Sequence, residues 1–301
     1  MKQIYIKVIL LFFAGLFLSA ETQLSAKTIV DRLGRHVALP DDPKRVVSLA
    51  PSITEIIFTL GRGDSLKGVT MFSDFPPEAA KLPKIGSYVR LDLEKIVALK
   101  PDLCFATKDG NPVEIVTRLE SLGIPVFAVH PTSLESVMDT FLAIGQVLNA
   151  SHKAKEIVGN MRSRVMRVKS LAANRSNSPR VFFQIGLAPM VGAGTRTFIH
   201  ELIVLAGGKN VAAGPTPYPR FSREQVLSLS PDIIIITSMA RGTGFEREKK
   251  EWRKWPELPA VRKNRIFLVD SNLFDRPTYR LVGGLELLLN LIHPELVGEQ
   301  R

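Results

Sequence analysis

One cysteine in 301 residues, Cys104, rules out an internal disulfide, and its place in the apolar run Leu103-Cys104-Phe105-Ala106 marks it as a small buried hydrophobe. The five histidines (His36, His130, His152, His200 and His293) form no His-x-His or His-x₃-His pair, so no dedicated zinc or manganese site is expected. The glycine clusters Gly192-Ala193-Gly194-Thr195 and Gly207-Gly208-Lys209-Asn210 match neither phosphate-loop nor dinucleotide spacing. No serine stands in a nucleophile-elbow context, so enzymatic chemistry has no visible carrier. The formal charge is +11, yet lysines and arginines are scattered, without interleaved aromatics. That pattern speaks for a solvated basic surface and against nucleic acid as a partner.

Beyond the first twenty-six residues no apolar run reaches membrane-spanning length. The start itself is different. Lys2 and Lys7 lead into Val8-Ile9-Leu10-Leu11-Phe12-Phe13-Ala14-Gly15-Leu16-Phe17-Leu18, and small residues follow at Ser19-Ala20 and Ser25-Ala26. Positive start, short apolar middle and small-residue end make a secretory signal, cleaved after Ala20 or Ala26, rather than a retained anchor. No cysteine there can carry a lipid, so a freely soluble periplasmic protein is expected. Without Lys2, Lys7 and Glu21 the charge becomes +10.

Strand-like apolar runs alternate with helical periodicity through both halves, which implies an α/β fold with mainly parallel sheets. The expected division is a signal at 1–26, a first Rossmann-like lobe at 27–150, an interlobe helix at 151–174 and a second lobe at 175–301. Each lobe is long enough to bury its own core. From His152 to Ala173 the apolar residues Ala154, Ile157, Val158, Met161, Val165, Val168 and Leu171 keep helical spacing. A helix of some 22 residues there spans roughly 33 Å and serves as the single connection, so lobe closure should be small.

Two segments repeat. Asp92-Leu93-Glu94-Lys95-Ile96-Val97-Ala98-Leu99-Lys100-Pro101-Asp102-Leu103 is echoed 130 positions later by Ser222-Arg223-Glu224-Gln225-Val226-Leu227-Ser228-Leu229-Ser230-Pro231-Asp232-Ile233. Each opens on a helix N-cap, Asp92 or Ser222, and Tyr88 and Tyr218 each stand six residues before the glutamate. Glu94 and Glu224 occupy first helical turns, where the dipole alone would favour a carboxylate. Their pairing across the halves also suits two arginines on a two-fold symmetric partner.

In open parallel sheets ligands sit beyond the carboxyl ends of strands. Ser52, read here as the cap of the first helix, lies at such an end. Phe72, Tyr88, Tyr218 and Phe274 fall in such loops, where four rings facing one cleft would grip a large, flat, partly apolar ligand. An exported enzyme on this scaffold would instead need Asp109, His130 and Arg276 to converge.

The chain resembles the helical-backbone (class III) substrate-binding proteins that serve cobalamin, ferric-siderophore and haem ABC importers, its cobalamin-binding members most closely. The matching stretches are Arg45 to Glu55, Ser73-Asp74-Phe75-Pro76-Pro77, Leu93 to Leu103, Phe183-Gln184-Ile185-Gly186, Ser222 to Leu227 and Phe274-Asp275-Arg276. The resemblance implies that Glu94 and Glu224 pair with arginines of a permease dimer at the inner membrane. It also implies that Phe72, Tyr88, Tyr218, Asn272 and Arg276 line a corrinoid cleft. Cobalamin-binding members carry tryptophan at the places of Tyr88 and Tyr218, tyrosine at Phe72 and aspartate at Asn272. The docking residues are kept while ligand contacts differ. The expected cargo is therefore cobalamin or a related corrinoid, with ferric siderophore or haem second, held by a monomer with no intrinsic cofactor.

Overall fold

The structure is a computed structural model describing residues 26–173, 177–237 and 244–298. The apolar leader, Ala20 and the helix end at Asn174 lie outside these residues. Two strands, β1 (Ala26–Val30) and β2 (His36–Pro40), form an antiparallel hairpin turned at Gly34, whose φ is +80°. Strand β3 (Val46–Ser48) then feeds helix α1 (Pro51–Thr59), and β4 (Leu66–Val69) leads to the short α2 (Pro77–Ala80). A small ladder, β5 (Gly86–Ser87) with β6 (Arg90–Leu91), precedes α3 (Leu93–Ala98). The lobe continues through β7 (Leu103–Thr107), α4 (Val113–Ser121), β8 (Val126–Val129) and α5 (Leu134–Val147). Its sheet is wholly parallel, in the order β4-β3-β7-β8.

Helix α6 (Ser151–Ala173) follows, packing on α5 of the first lobe. The second lobe runs β9 (Arg180–Leu187), β10 (Met190–Gly192), α7 (Phe198–Leu205) and β11 (Lys209–Asn210). It continues through α8 (Arg223–Leu229), β12 (Ile233–Ile236), α9 (Gly244–Trp252), α10 (Pro259–Arg262) and β13 (Ile266–Leu268). Helix α11 (Arg280–Ile292), which packs back on α6, and the short α12 (Glu295–Gly298) close the described chain. The sheet order is β10-β9-β12-β13 with β11 parallel to the start of β9, so β11-β9-β12-β13 repeats the arrangement β4-β3-β7-β8. The hairpin from β9 to β10 is an addition; the sequence reads Gly186 to Pro189 as a loop beyond a strand, whereas β9 runs on to Leu187 and pairs with β10.

Each lobe has an apolar cluster of its own, around Val47, Ile85 and Leu119 in the first and around Phe182, Trp252 and Ile266 in the second, and a third cluster joins them. This third cluster runs from Leu39, Phe105 and Phe141 through Ala154, Val158, Met161 and Val168 of α6 to Phe183, Phe274 and Leu285. Each lobe thus buries apolar residues of its own, as expected, and in addition the apolar stripe of α6 faces both lobes at once, so that burial on each side joins them. The opposite, basic face of α6 is partly neutralised: Arg164 makes a two-armed contact to Glu286 on α11 (2.8 and 2.6 Å), and Arg162 pairs with Glu135 on α5. Among the described residues no helix is long and apolar enough to cross a membrane.

Candidate functional site

The repeated segments fold alike in detail. The Asp92 side chain accepts from the Lys95 amide (3.1 Å) and the Ser222 hydroxyl from the Gln225 amide (3.3 Å), each capping its helix. Both helices end at a left-handed residue, Lys100 (φ 47°) and Ser230 (φ 42°). Arg45 donates to the carbonyl of Leu99 (2.6 Å) and Arg180 to that of Leu229 (2.6 Å), so an arginine stands at each helix C-terminus, where a cation is favoured. Asp102 in turn accepts from the Arg45 amide and Asp232 from the Arg180 amide, both at 3.0 Å. Ile96 and Val226, two residues past the glutamates, are fully buried, which turns Glu94 and Glu224 outward to solvent. Hydrogen bonding by Ser222 and its own amide holds the Glu224 carboxyl below its ordinary pKa. Helix α8 has a further anchor. Arg223 bonds Glu248 (2.9 Å) and lies 4.2 Å over the buried Trp252 ring, whose indole donates to Gln184 (2.9 Å).

The aromatics of the seam are placed by backbone hydrogen bonds. Asn111 donates to the carbonyls of Leu49 and Tyr88, both at 2.8 Å, while its own oxygen accepts from the Thr107 amide (2.8 Å). It ties the Tyr88 loop to the carboxyl ends of β3 and β7. The Tyr88 ring rests on Gly110, where a Cβ would stand 2.3 Å from Cε2. In the second lobe the segment around Tyr218 is strapped to β10: Gly194 donates to Pro217 O (2.7 Å) and Gly192 to Pro219 O (3.0 Å). Tyr218 therefore projects between two fixed points, 54% exposed, as is Phe72.

Electrostatics bring the two lobes together at this ring. Enclosure raises the Tyr218 phenol above its ordinary pKa, and Asp109 and Tyr88 from the first lobe add to Asp275 from the second. The influence of Asp109 and Tyr88 on this phenol puts Tyr218 within electrostatic reach of the first lobe. Burial pushes the Asp275 carboxyl up to about 7, against the pull of Arg276 and helped by Asp270; its Oδ2 is buried without a hydrogen-bond partner.

Two expected contacts are placed differently. Phe274 is 1% exposed, its ring 5.2 Å from Phe183 and pressed on Gly284, so it is core and offers the cleft no face. The reason is that the chain after β13 makes a 3₁₀ turn at Ser271–Leu273, which rolls Phe274 inward. Ser52 does not cap α1. Ala50 is the cap residue, Pro51 opens the helix, and Ser52, in the first turn, is 8% exposed. The amide of Asn272 donates to Asp270 (2.9 Å) at the rim. Arg276 is engaged across the seam with Glu55 (2.6 Å), Asp74 (3.0 Å) and the Phe72 carbonyl (3.0 Å). Asp109 and His130 stand 3.4 Å apart, but with Arg276 committed to Glu55 and Asp74 the three do not assemble. Among the described residues no group of three or more histidines, cysteines or carboxylates could hold a metal ion.

Sequence reading missed Glu55, Asn111, Arg280 and Asp275. Glu55 gave a signal: a glutamate in the otherwise apolar face of α1 needs a partner if buried.

The sequence profile described as periplasmic binding protein matches residues 46–273. The chain belongs to the periplasmic binding protein family. Among its relatives the vitamin B12-binding protein of Vibrio parahaemolyticus is 31% identical over 244 residues, covering 80% of this chain and 86% of that protein. An ABC transporter substrate-binding lipoprotein of Bacillus subtilis is 30% identical over 285 residues, 93% of this chain and 89% of the relative. The crystal structure of the Vibrio cholerae periplasmic vitamin B12-binding protein superposes with a TM-score of 0.75 at 28% identity, over 83% of this chain and 96% of that one. This periplasmic binding protein thus has the two-lobed class III fold, with the seam tyrosines and the exposed glutamates on corresponding elements of its two lobes.

Proposed function

We propose that this chain is the periplasmic substrate-binding component of an ABC importer and carries cobalamin or a related corrinoid between its lobes. The observation that supports this most is that Tyr218, exposed on a strapped loop of the second lobe, lies within electrostatic reach of Asp109 and Tyr88 of the first. Two phenol rings, one from each lobe, suit a flat macrocycle, gripping it by stacking while their hydroxyls reach its polar rim. The relatives named for vitamin B12 binding point to the same cargo. Glu94 and Glu224, exposed on twin helices that are each capped by a side chain, are the contacts for arginines of a permease dimer. The protein is exported by its leader and acts by binding and release, not by catalysis.

The phenols also favour a second reading. A tyrosine oxygen is an axial ligand for haem iron, which makes haem the runner-up cargo and a ferric siderophore the next. Calorimetry against cobalamin, cobinamide, haemin and a ferric-siderophore panel tests the assignment, with an absorbance titration for haem. The expected result is tight binding of a corrinoid, weakened by roughly 1–3 kcal/mol in Tyr88→Ala and in Tyr218→Ala. Haemin binding with a Tyr-dependent absorbance shift would replace the corrinoid by haem. Unchanged affinity in both variants would remove the tyrosines from the cleft.

A further inference from the structure

The most heavily charged contact between the lobes lies beside this cleft. The Glu55 side chain, on α1 of the first lobe, is wholly buried, and its Oε1 accepts from Arg276 Nη1 (2.6 Å) and Arg280 Nη2 (2.7 Å) of the second lobe. The other arm of Arg276 reaches the Phe72 carbonyl and Asp74, and Arg280 lies 4.3 Å over the Phe75 ring. Both arginines therefore converge on a single loop, residues 72–75, and on the helix behind it. The first lobe holds the same loop from its other side. A buried hydroxyl chain links Ser48, Thr54, Ser73 and Thr70, and Lys84 donates to the Ser73 carbonyl (3.0 Å).

Burial works against the Arg276 charge, but Glu55 and Asp74 outweigh it and raise its pKa further. The network is nonetheless not arranged for stability alone. Glu55 Oε2 and Arg280 Nε are buried without hydrogen-bond partners, a cost that an apolar seam of the same shape would avoid. What the charges supply is position: two forked cations on one carboxylate leave little freedom of register between the lobes.

We propose that Glu55 is the keystone of an interlobe bolt and a positioning residue for the cargo cleft, setting the lobe spacing and the place of Phe72 before cargo arrives. Arg276 and Arg280 are its second-lobe half, and Arg276 acts through the loop rather than on the cargo. The proposal rests on the reading that cargo binds between the lobes against Phe72. A cleft set in advance binds more tightly because less ordering is left to the moment of binding.

The test uses Glu55→Gln, which keeps the shape and removes the charge, and Arg276→Lys, which keeps the charge and removes the fork, so that a folding failure in one leaves the other to decide. Spin labels on the exposed Val113→Cys and Val204→Cys, one per lobe, report the interlobe distance by pulsed electron resonance. Burial raises the pKa of the buried Cys104 thiol to about 12, so it will not compete for label. The expected result is a narrow distance distribution in the parent chain and a broad one in either variant; equal widths would overturn the bolt. Cyanocobalamin affinity is then measured in the parent, Glu55→Gln, Phe72→Ala and the double variant. Glu55→Gln should weaken binding roughly 3- to 30-fold, and the double variant should lose less than the product of the single losses. Independent losses, or no loss from Glu55→Gln, would reduce the network to a structural role. If the parent binds neither cyanocobalamin nor haemin, the cargo assignment fails while the distance measurement still decides the bolt.

Discussion

Raising the pH from 4 to 7 should destabilise this protein through one side chain. In the unfolded chain the Asp275 carboxyl loses its proton near the ordinary 3.8, whereas in the folded protein burial holds it to about 7. Between those values the folded state carries a proton that the unfolded state lacks, so stability falls as the pH rises. Below about pH 4 both states are protonated, and above about pH 7 both are ionised, so the dependence is confined to that window. Each pH unit is worth at most about 1.4 kcal/mol, which sets a ceiling of about 4 kcal/mol over the window. Asp275 is partly accessible, and screening by nearby water reduces the expected loss to about 2 kcal/mol. Other carboxylates titrate in the same range, so the quantity to follow is the difference between the parent and Asp275→Asn. Equilibrium urea unfolding at several pH values should show the parent losing about 2 kcal/mol relative to the variant on going from pH 4 to pH 7. A difference that stays level, or that favours the parent at higher pH as for a carboxyl of depressed pKa, would refute the reasoning.

If Glu94 and Glu224 dock the permease as proposed, Glu94→Ala with Glu224→Ala should abolish cargo uptake by cells while leaving affinity in calorimetry intact. Because both groups are exposed and neither is part of the packed core, the double variant should remain folded. Uptake that survives in a folded double variant would rule out the docking role. Phe274→Ala should cost about 3–5 kcal/mol of stability by opening a cavity against Phe183 and Gly284, measured by chemical denaturation. A variant of near-parent stability with weakened cargo binding would return Phe274 to the cleft wall.

Much of the architecture was legible because it follows from local rules. The alternation of apolar runs with helical stripes predicted the parallel sheets, and the twin segments predicted the twin helices, caps included. Boundaries drifted where a neighbour rather than the chain decided them. Pro51 starts α1 two residues before the sequence reading does, and β9 continues to Leu187 because β10 is there to pair with it. The matched spacing of Tyr88 and Tyr218 is legible in the sequence, and each is held on a hydrogen-bonded loop of its own lobe. Phe274 was misplaced because a ring on a loop gives no sign of which way the loop rolls. Asn111 and Glu55 went unread because their value lies in partners 62 and 221 residues away.

By itself the sequence determined which segments are strands and helices, that the halves are copies of one plan, and that each copy carries an aromatic and an exposed acid. These properties depend on residues a few positions apart, through capping, periodicity and alternation. Tertiary structure alone decided how the copies meet. It joined the lobes through a shared apolar cluster along α6, brought Tyr218 within reach of first-lobe charges, and set Arg276 on a buried carboxylate in the other lobe. Those outcomes depend on which surfaces and charges burial brings together, and a one-dimensional pattern holds no record of that.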